Sequence, residues 1–290
     1  MTLSYAVITP ARNEARNLAS LAGCLAAQTV RPAVWVIADS ASTDGTPEVA
    51  AELAGRNDWV RPLTLDAREA QARGGPVVRA FMTALDVLPE VPDVVVKLDA
   101  DLTVEPDYFA RLLAAFVDDP RLGIGSGVCL ELQEGEWRPS FGTRSHVWGA
   151  ARAYRRECLR DVLPLEERQG WDEIDALKAR LKGWKTRTLF DLPFRHHRAL
   201  GERDGKRRRW LDQGETAHYM AYRFSYLLAR TGYRVLREPQ AAMMLWGYAR
   251  SALRRQPRLE DAAARNYLRE QQRLRALPLR MREALGRSRD

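Results

Sequence analysis

Short apolar runs alternate with segments of helical periodicity along the first two thirds of the chain. Tyr5–Thr9 and Val34–Ala38 are runs of the kind that forms buried strands. Each is followed by a polar loop and then by a segment whose apolar residues recur every three or four positions, as Leu18, Leu21 and Leu25 do. Strand, loop and helix in repeated succession form the βαβ pattern of a parallel sheet. The pattern therefore predicts an α/β fold.

The same periodicities predict the other elements of this region. The run at 94–101 is apolar enough to be a buried central strand, whereas 61–65 and 186–189 are weaker strand candidates. Residues 134–138 favour a turn. A glycine-interrupted strand at 123–132 and helices at about 77–88, 106–117 and 176–182 complete the prediction.

Beyond about residue 200 the pattern becomes helical. Residues 216–230 carry their apolar side chains on one face, as an amphipathic helix does. The basic clusters 195–198 and 206–210 are interpreted as loops or helix ends. We therefore predict a sheet domain at 1–200 and a helical, basic extension at 201–290 that packs on it.

The formal net charge of +8 is concentrated in the C-terminal third. Residues 1–190 carry 23 Lys/Arg and 27 Asp/Glu, whereas residues 191–290 carry 23 and 11. This asymmetry predicts that the basic third faces something anionic, such as a diphosphate, an acidic membrane surface or nucleic acid.

The sequence favours a cytoplasmic protein. No apolar run approaches the roughly 20 residues that a membrane-spanning helix needs. Met1 leads almost directly into the first strand, without a segment that resembles a secretory signal. The three cysteines, Cys24, Cys129 and Cys158, are odd in number and widely spaced. This argues against a disulfide framework or a zinc site.

Two carboxylates end the central predicted strand, at Asp99 and Asp101. The carboxyl ends of parallel strands are where open α/β sheets bind ligands. Carboxylate oxygens suit Mg2+ or Mn2+, which usually take one or two protein carboxylates and complete their shell with substrate phosphates. The pair therefore predicts a metal-bridged nucleotide diphosphate, with a plain Asp-rich turn as the alternative.

Two other loops offer groups suited to a nucleotide. Asp39 follows the second strand and opens a polar turn, after which Pro47 starts a helix with Thr46 as its N-cap. Arg73 and two glycines precede another predicted helix. Backbone N–H groups and a basic side chain are thus offered at a helix N-terminus, which favours phosphate.

Taken together, these segments resemble the family 2 glycosyltransferases, which share the GT-A fold, a Rossmann-like, mostly parallel sheet flanked by helices. The similarity covers about residues 5–200 and lies in the order and spacing of the motifs. The matching segments are ITPARNEARNL, VIADSASTDGT, RGGPVVRA, KLDADLTVEPDYF and GWDEIDALKARLKGWK.

The resemblance implies a binding site for a nucleotide-diphosphate sugar. Asp39 would accept a hydrogen bond from the base or only cap its turn, and Asn13 and Glu14 would lie beside the nucleoside. Asp99 would hold the ribose or a metal-bound water, and Asp101 would bind Mn2+ or Mg2+ directly. The donor-binding set implied in this way is Pro10, Arg12, Asn13, Glu14, Asp39, Arg73, Asp99, Ala100, Asp101, Arg209 and Trp210.

The resemblance also implies a catalytic base, an Asp in an E-D pattern before a helix that ends in Gly-Trp. Counting back from Gly183-Trp184 gives Asp172, with Trp171 in place of the preceding acid. We expect Asp172 to deprotonate the acceptor hydroxyl. Glu173 and Asp175 are rivals, and all three acids would also stabilise a helix N-terminus without any catalytic role.

Two features of the basic third carry less information. His197, or its neighbour His196, is a candidate third metal ligand or phosphate contact, with an ordinary surface or core histidine as the alternative. Processive polysaccharide synthases of the family carry Q-x-x-R-W near this place, but here Lys206 replaces the Gln. Arg209 and Trp210 would still cover the diphosphate and the acceptor sugar, in an enzyme that is not processive.

We therefore expect an inverting, metal-dependent glycosyltransferase of exopolysaccharide or cell-envelope glycan synthesis. Its donor would be a UDP-sugar, or else a GDP-sugar, and its acceptor a glycan or a lipid-linked sugar. The basic third and the 216–230 helix would make a peripheral contact with the inner face of an anionic membrane.

Three alternatives remain at this stage. A sugar-nucleotide nucleotidyltransferase would carry a glycine-rich basic loop where this chain has Pro10–Glu14. A basic nucleic-acid or anion-binding module without catalysis leaves the acids at the strand ends unexplained. A non-catalytic relative of the family is the third alternative.

Overall fold

The computed structural model describes residues 3–66, 75–140, 146–198 and 205–273. The chain divides into two compact units, Met1–Arg198 and Ala199–Asp290. Among the described residues, the first unit contains strands and helices and the second contains helices only. The elements of the first unit are β1 (Tyr5–Ala11), α1 (Ala15–Ala26), β2 (Val34–Asp39), α2 (Thr46–Arg56), β3 (Val60–Thr64), α3 (Gly75–Asp86), β4 (Val94–Leu98), β5 (Leu102–Val104), α4 (Tyr108–Asp118), β6 (Leu122–Gln133), β7 (Glu136–Pro139), β8 (Ala151–Arg155), α5 (Arg156–Val162), α6 (Trp171–Leu181) and β9 (Lys185–His196).

The strands of the described residues form one mixed sheet. Its order is β3-β2-β1-β4-β8-β6-β9-β5, and β7 pairs with β6 at one side. The predicted parallel arrangement is found from β3 to β4. Beyond β4 the sheet is mixed, because β8 runs antiparallel to both β4 and β6 while β9 is parallel to β6. The loops after β1, β2 and β4 consequently meet at one edge.

Helices bury both faces of the sheet. In β1, Tyr5 and Val7 face the cluster formed with α1 and α4, and Ala6 and Ile8 face the cluster formed with α3, α5 and α6. This alternation follows from the two-residue period of a strand. All side chains of β2 and β4 are buried, which explains why both read as continuous apolar runs. Pro62 is tolerated in β3 because that strand is at the end of the sheet.

Several predicted boundaries are wrong. Residues 134–138 are part of a hairpin in which Glu134 and Gly135, with φ of 52° and 84°, join β6 to β7. The predicted strand at 186–189 continues to His196, so Arg195 and His196 of the basic cluster belong to a strand and not to a loop. Pairing with both β5 and β6 holds this extension in the sheet, although charged residues interrupt its apolar pattern. α6 begins at Trp171 rather than at 176, directly after Gly170 at φ 82°.

The second unit is built around a glycine-mediated helix crossing. A Cβ atom on Gly214 would lie 2.0 Å from the Met244 carbonyl oxygen, and one on Gly247 would lie 2.1 Å from the Leu211 carbonyl oxygen. Backbones that approach this closely require glycine at both positions. The helices of this unit are α7 (Lys206–Tyr219), α8 (Phe224–Val235), a short 3-10 helix (Pro239–Ala242), α9 (Met243–Leu253) and α10 (Ala262–Gln271).

The prediction of a single amphipathic helix at 216–230 is wrong. The chain leaves α7 after Tyr219 and enters α8 only at Phe224. Ala221, at φ 54°, has the left-handed backbone conformation that ends a helix and turns the chain. Within the ranges given above, no helix combines the length and the apolar character that crossing a bilayer would need.

Candidate functional site

The carboxyl end of β4 carries a group of three side chains that fits a divalent cation. One ligand atom from each of Asp99, Asp101 and His196 lies within 4.8 Å of the others. The backbone holds this arrangement, since the Asp99 amide donates to the Ala150 carbonyl oxygen at 2.8 Å and Leu102 pairs with His196 across the sheet. Two carboxylates and an imidazole are a donor set that suits Mn2+ or Mg2+.

His196, and not His197, belongs to this group. His196 Nε2 lies 3.4 Å from Asp101 Oδ1, and its buried Nδ1 has no hydrogen-bond partner within the described part of the chain. His197 instead contacts the Thr103 hydroxyl and forms a T-shaped contact with the Trp137 ring. Neighbouring residues of an extended chain face opposite sides. The candidate third metal ligand is therefore His196 instead of His197.

Arg198 connects the cation group to the first loop. Its Nη2 atom donates to both carboxylate oxygens of Glu14 at 2.9 Å, and its Nε lies 3.5 Å from Asp101 Oδ2. Glu14 is itself buried, and its amide donates to the Thr46 hydroxyl at 2.8 Å. The Arg198 charge thus adjoins Oδ2 of Asp101, and the His196 imidazole adjoins Oδ1.

Burial and charge oppose each other at these groups. Burial raises the pKa of Asp101, but the hydrogen bond and charge of His196 and the charge of Arg198 outweigh it and lower the pKa below the usual range. Burial lowers the pKa of His196, but Asp101 and Asp99 outweigh it and raise that pKa. For Asp99, burial is the largest effect and raises the pKa, with the charge of Lys97 acting against it.

Asp39 and Asn13 shape the turn beside β2. Asp39 is 3% exposed and accepts hydrogen bonds from the hydroxyl and the amide of Ser42. The Asn13 amide donates to the Ser42 hydroxyl at 2.8 Å, and its side-chain oxygen accepts from the Thr43 amide at 2.8 Å. Asp44 accepts from the amide and hydroxyl of Thr46. Asp39 and Asn13 are therefore brought together, and Asp44 is a turn-stabilising residue.

The proposed base adjoins the cation group through one glycine. A Cβ atom on Gly149 would lie 3.0 Å from Asp172 Oδ2. The Gly149 carbonyl oxygen accepts from Lys97 Nζ at 2.8 Å, and the same ammonium contacts the Asp99 carboxylate. Asp172 is half-buried at the first turn of α6. The structure thus brings Asp172 to the edge that carries Asp99.

Asp175, one of the rivals for the base, is a core residue. It is 1% exposed and forms a bidentate ion pair with Arg152, which is fully buried. The Tyr154 hydroxyl also donates to it. Burial raises the pKa of Asp175 to about 6, but a carboxylate enclosed in this way cannot reach an acceptor, and geometry comes before pKa in choosing a base.

The other predicted donor residues fall into three groups. Pro10, near the end of β1, is half-buried, while Arg12 and Ala100, in the loops after β1 and β4, are exposed and buried respectively. Arg73 lies outside the described residues. Arg209 and Trp210 lie on α7 of the second unit, where Trp210 is a core residue with 1% exposure and donates from Nε1 to Glu238 at 3.1 Å. This ring has no face open to a sugar, and the Arg209 guanidinium covers it at 4.9 Å.

Four tryptophans of the first unit, Trp137, Trp148, Trp171 and Trp184, have mixed environments. Trp171 and Trp148 are buried, with 9% and 8% of their surface exposed. Trp184 is half-buried and donates from Nε1 to Asp161 at 2.7 Å. Trp137 is half-buried beside His197. Trp137 thus lies beside His197, the residue after His196, and Trp171 directly precedes Asp172.

Sequence reasoning missed Lys97 and Arg198. Lys97 left a detectable signal, because a single charge inside an apolar strand has to be paired to be buried. Arg198 left none, since its partners Glu14 and Asp101 lie far from it in the sequence.

The family model for glycosyl transferase family 2 matches residues 6–163, more than half of the chain. The chain belongs to glycosyl transferase family 2. The match includes the loop after β1, the turn after β2 and the acids that follow β4. Membership argues against the nucleotidyltransferase and nucleic-acid-binding alternatives. Among curated proteins, none matches the sequence.

Solved structures have the same fold. Mannosyltransferase PcManGT from Pyrobaculum calidifontis, in complex with GDP-Man and Mn2+, is 18% identical with a TM-score of 0.60, over 99% of this chain and 89% of that chain. TarS 1-349 from S. aureus is 20% identical with a TM-score of 0.54, over 67% of this chain and 60% of its own. GalNAc-T7, with UDP, GalNAc and Mn2+, is 16% identical with a TM-score of 0.57, over 69% and 45%. The chain thus spans less than two thirds of TarS and GalNAc-T7, and these likenesses establish the GT-A fold.

Proposed function

We propose that this family 2 chain transfers a sugar, with inversion at the anomeric carbon, from a nucleotide-diphosphate donor to an acceptor hydroxyl. The observation that carries the proposal is the sheet edge where the Asp99, Asp101 and His196 group adjoins Asp172 through Lys97 and Gly149. A cation site beside a half-exposed carboxylate is the arrangement that metal-assisted glycosyl transfer requires.

The donor is proposed to be a UDP-sugar, with a GDP-sugar as the alternative. TarS has been solved with UDP and with UDP-GlcNAc, and PcManGT with GDP-Man and Mn2+. In this chain the Asp39 carboxylate would accept from a base N–H group, because a carboxylate has more lone pairs than the Ser42 contacts use. Asn13 and Glu14 would border the nucleoside.

A divalent cation held by Asp99, Asp101 and His196 would neutralise the charge that develops on the departing diphosphate. Arg198 supplies a further positive charge at the same place, beside Asp101 Oδ2. Because Glu14 holds its guanidinium with two hydrogen bonds, this charge is oriented before the donor arrives.

Asp172 would act as the general base. The acceptor oxygen forms a bond to the anomeric carbon while the bond from that carbon to the diphosphate oxygen breaks. The electron pair of the broken bond leaves with the diphosphate, and the hydroxyl proton passes to Asp172. Attack on the face opposite the leaving group inverts the anomeric centre, so the base has to be presented across from the diphosphate.

The deciding experiment is a panel of UDP-, GDP- and dTDP-sugars, assayed with Mn2+, with Mg2+ and with EDTA. We expect one type of donor in the panel to release its nucleoside diphosphate when a metal is present. No donor should do so in EDTA. The anomeric configuration of the product, read by NMR from the coupling at the new linkage, should be opposite to that of the donor. A retained configuration would refute inversion, and full activity in EDTA would refute the cation site.

We further propose that residues 1–200 form the catalytic domain and that the helical region 201–290 contacts an anionic membrane carrying a lipid-linked acceptor. Residues 205–273 carry 15 Lys/Arg against 6 Asp/Glu. Exposed apolar side chains accompany them, including Trp246 at 54% and Leu253 at 77% exposure on α9. Basic and apolar groups together favour an acidic lipid surface. Such an acceptor fits exopolysaccharide or cell-envelope glycan synthesis.

A further inference from the structure

Lys97 is a charged side chain buried at the centre of the candidate site. It lies in β4, and its side chain is 4% exposed. Its ammonium donates to the Asp99 carboxylate and to the Gly149 carbonyl oxygen at 2.8 Å, and it lies 5.8 Å from the centre of the Trp171 ring. A buried ammonium needs such partners, because an unpaired charge without water is strongly destabilising.

These partners belong to two parts of the candidate site, the cation group and the residues beside the proposed base. Asp99 belongs to the cation group. Gly149 lies against the Asp172 carboxylate, and Trp171 is the residue directly before Asp172. The Asp99 amide donates to the Ala150 carbonyl oxygen at 2.8 Å, which adds a second connection to the same loop. One ammonium thus links Asp99, which is proposed to bind the cation, with Gly149, which lies against the proposed base.

The attachment of α6 to the sheet does not depend on this lysine. Arg152, fully buried in β8, pairs with Asp175 and donates to the carbonyl oxygens of Val147 and Asp172 at 2.6 and 2.8 Å. Arg152 therefore fixes the start of the helix, whereas Lys97 contacts Asp99, a carboxylate proposed to hold the cation. Removal of the lysine charge should change the environment of Asp99 more than it changes the fold.

We propose that Lys97 is a positioning residue for the transfer reaction. It fixes Oδ1 of Asp99 and the carbonyl of Gly149, so that the cation and the Asp172 carboxylate keep a constant separation. The inference rests on the proposed function. It has two consequences of opposite sign: without the lysine, the cation binds more tightly because a repelling charge is gone, and transfer is slower because the reacting groups are less well aligned.

The experiment compares Lys97→Met and Lys97→Gln with the wild type and with Lys182→Met, a control at an exposed lysine. Titration calorimetry with Mn2+ alone and with Mn2+ plus UDP gives the cation affinity, and steady-state assays give kcat and the donor KM. For Lys97→Met we expect Mn2+ to bind about three- to tenfold more tightly. We expect kcat to fall at least about tenfold with the donor KM within about threefold. Lys97→Gln retains a hydrogen-bond donor, so its kcat should lie between that of the wild type and that of Lys97→Met.

The outcomes separate this inference from the function it rests on. Unchanged or weaker Mn2+ binding in folded Lys97→Met, or an unchanged kcat, would overturn the role of Lys97. Circular dichroism that shows both variants unfolded would also overturn it, since the lysine would then be a residue of the fold. A wild type that binds Mn2+ but transfers no sugar would refute the proposed function alone, and the Mn2+ affinity of Lys97→Met would still decide the effect on Asp99. A wild type that binds no Mn2+ would refute both.

Discussion

Asp172 and Asp175 lie one helical turn apart on α6 and have opposite environments. Asp172 is half-buried against Gly149 and is the proposed general base. Asp175 is enclosed by Arg152 and Tyr154. The two carboxylates should therefore respond differently to the same substitution by Asn, one in rate and the other in stability.

For Asp172→Asn we expect kcat to fall by about 10²- to 10⁴-fold, the usual contribution of a general base. Donor binding should change by less than about threefold, because Asp172 does not belong to the cation group. Stopped assays for kcat and calorimetry for the donor separate the two effects. Glu173→Gln, in the same helical turn, is the matched control and should keep its activity. Full turnover in Asp172→Asn would show that another group is the base.

For Asp175→Asn we expect a loss of stability instead. The substitution leaves the buried Arg152 guanidinium without its bidentate carboxylate partner, and breaking a buried pair in this way costs about 3 to 5 kcal/mol. Urea titration followed by circular dichroism measures this loss. If the folded variant lost turnover without losing stability, Asp175 would have a catalytic role that its burial argues against.

The His196–Asp101 pair should make both stability and cation affinity depend on pH, in opposite directions. The pKa of His196 is raised in the folded state, chiefly because the effects of Asp101 outweigh burial. Its pairing therefore stabilises the metal-free protein fully below about pH 6.5, and this contribution is lost as the pH rises through the raised pKa. A cation needs the neutral imidazole, so its affinity should rise over the same interval.

We accordingly expect the Tm in EDTA to fall from pH 6 to pH 8 while Mn2+ binds more tightly, by up to about tenfold per pH unit below the pKa. Differential scanning fluorimetry and calorimetry at four or five pH values provide the two curves. His196→Asn should flatten both, whereas His197→Asn should leave both unchanged. Equal flattening in the two variants would mean that the group has been assigned to the wrong histidine.

At the scale of secondary-structure elements, the sequence predicts what depends on local periodicity. Asp39, Asp99 and Asp101 lie at the sheet edge as expected, because Asp39 ends one apolar strand and Asp99 and Asp101 follow another. Such strands are typical of a sheet buried on both faces. The choice between His196 and His197 could not be made in this way. It depends on the facing of β9, which was set by pairing with β5 and β6 and not by the residues around it.

The C-terminal third shows the same limit more strongly. The apolar residues of 216–230 fit one helical face, yet the chain turns within that segment at Ala221. Trp210 was expected at a sugar, but it lies in the core with Leu227 and Met244. A buried aromatic core residue and an exposed aromatic platform have the same sequence pattern, and only the tertiary contacts distinguish them.

The close crossing of α7 and α9 predicts that alanine at Gly214 destabilises the second unit. An alanine Cβ at Gly214 would collide with the Met244 carbonyl oxygen, which is backbone and cannot move independently of α9. We expect Gly214→Ala to destabilise the second unit by about 1 to 3 kcal/mol or more. Gly232→Ala in α8 meets nothing within 4 Å, and should be neutral or stabilise by up to about 1 kcal/mol.

The two glycine variants are compared by urea titration with tryptophan fluorescence, to which Trp210 and Trp246 contribute from the second unit. Because two compact units need not unfold together, a biphasic curve is expected, and only the phase of the second unit should move. If both variants behaved alike, the close approach of α7 and α9 would not be present in solution.

The whole molecule combines an acid-lined sheet edge in one unit with an excess of basic charge in the other. If the basic region contacts an anionic membrane, the full chain should sediment with vesicles containing phosphatidylserine at low salt. It should be released as salt screens the surface charges, since the screening length falls to roughly 10 Å at 0.1 M. Neutral phosphatidylcholine vesicles should not retain it.

The apolar part of this contact is tested by Trp246→Ser combined with Leu253→Ser, two exposed residues seven positions apart on α9, which places them on the same face. The loss of two apolar anchors of this size should weaken vesicle binding by at least about tenfold, because each buried side chain contributes about 1.5 to 3 kcal/mol. Leu132→Ser, at a leucine of the first unit that is as exposed as Trp246, is the control and should bind as the wild type does. Retention by anionic vesicles that is insensitive to both the double variant and salt would assign the contact to another surface. No sedimentation at low salt would leave the basic charges as solvated helix faces.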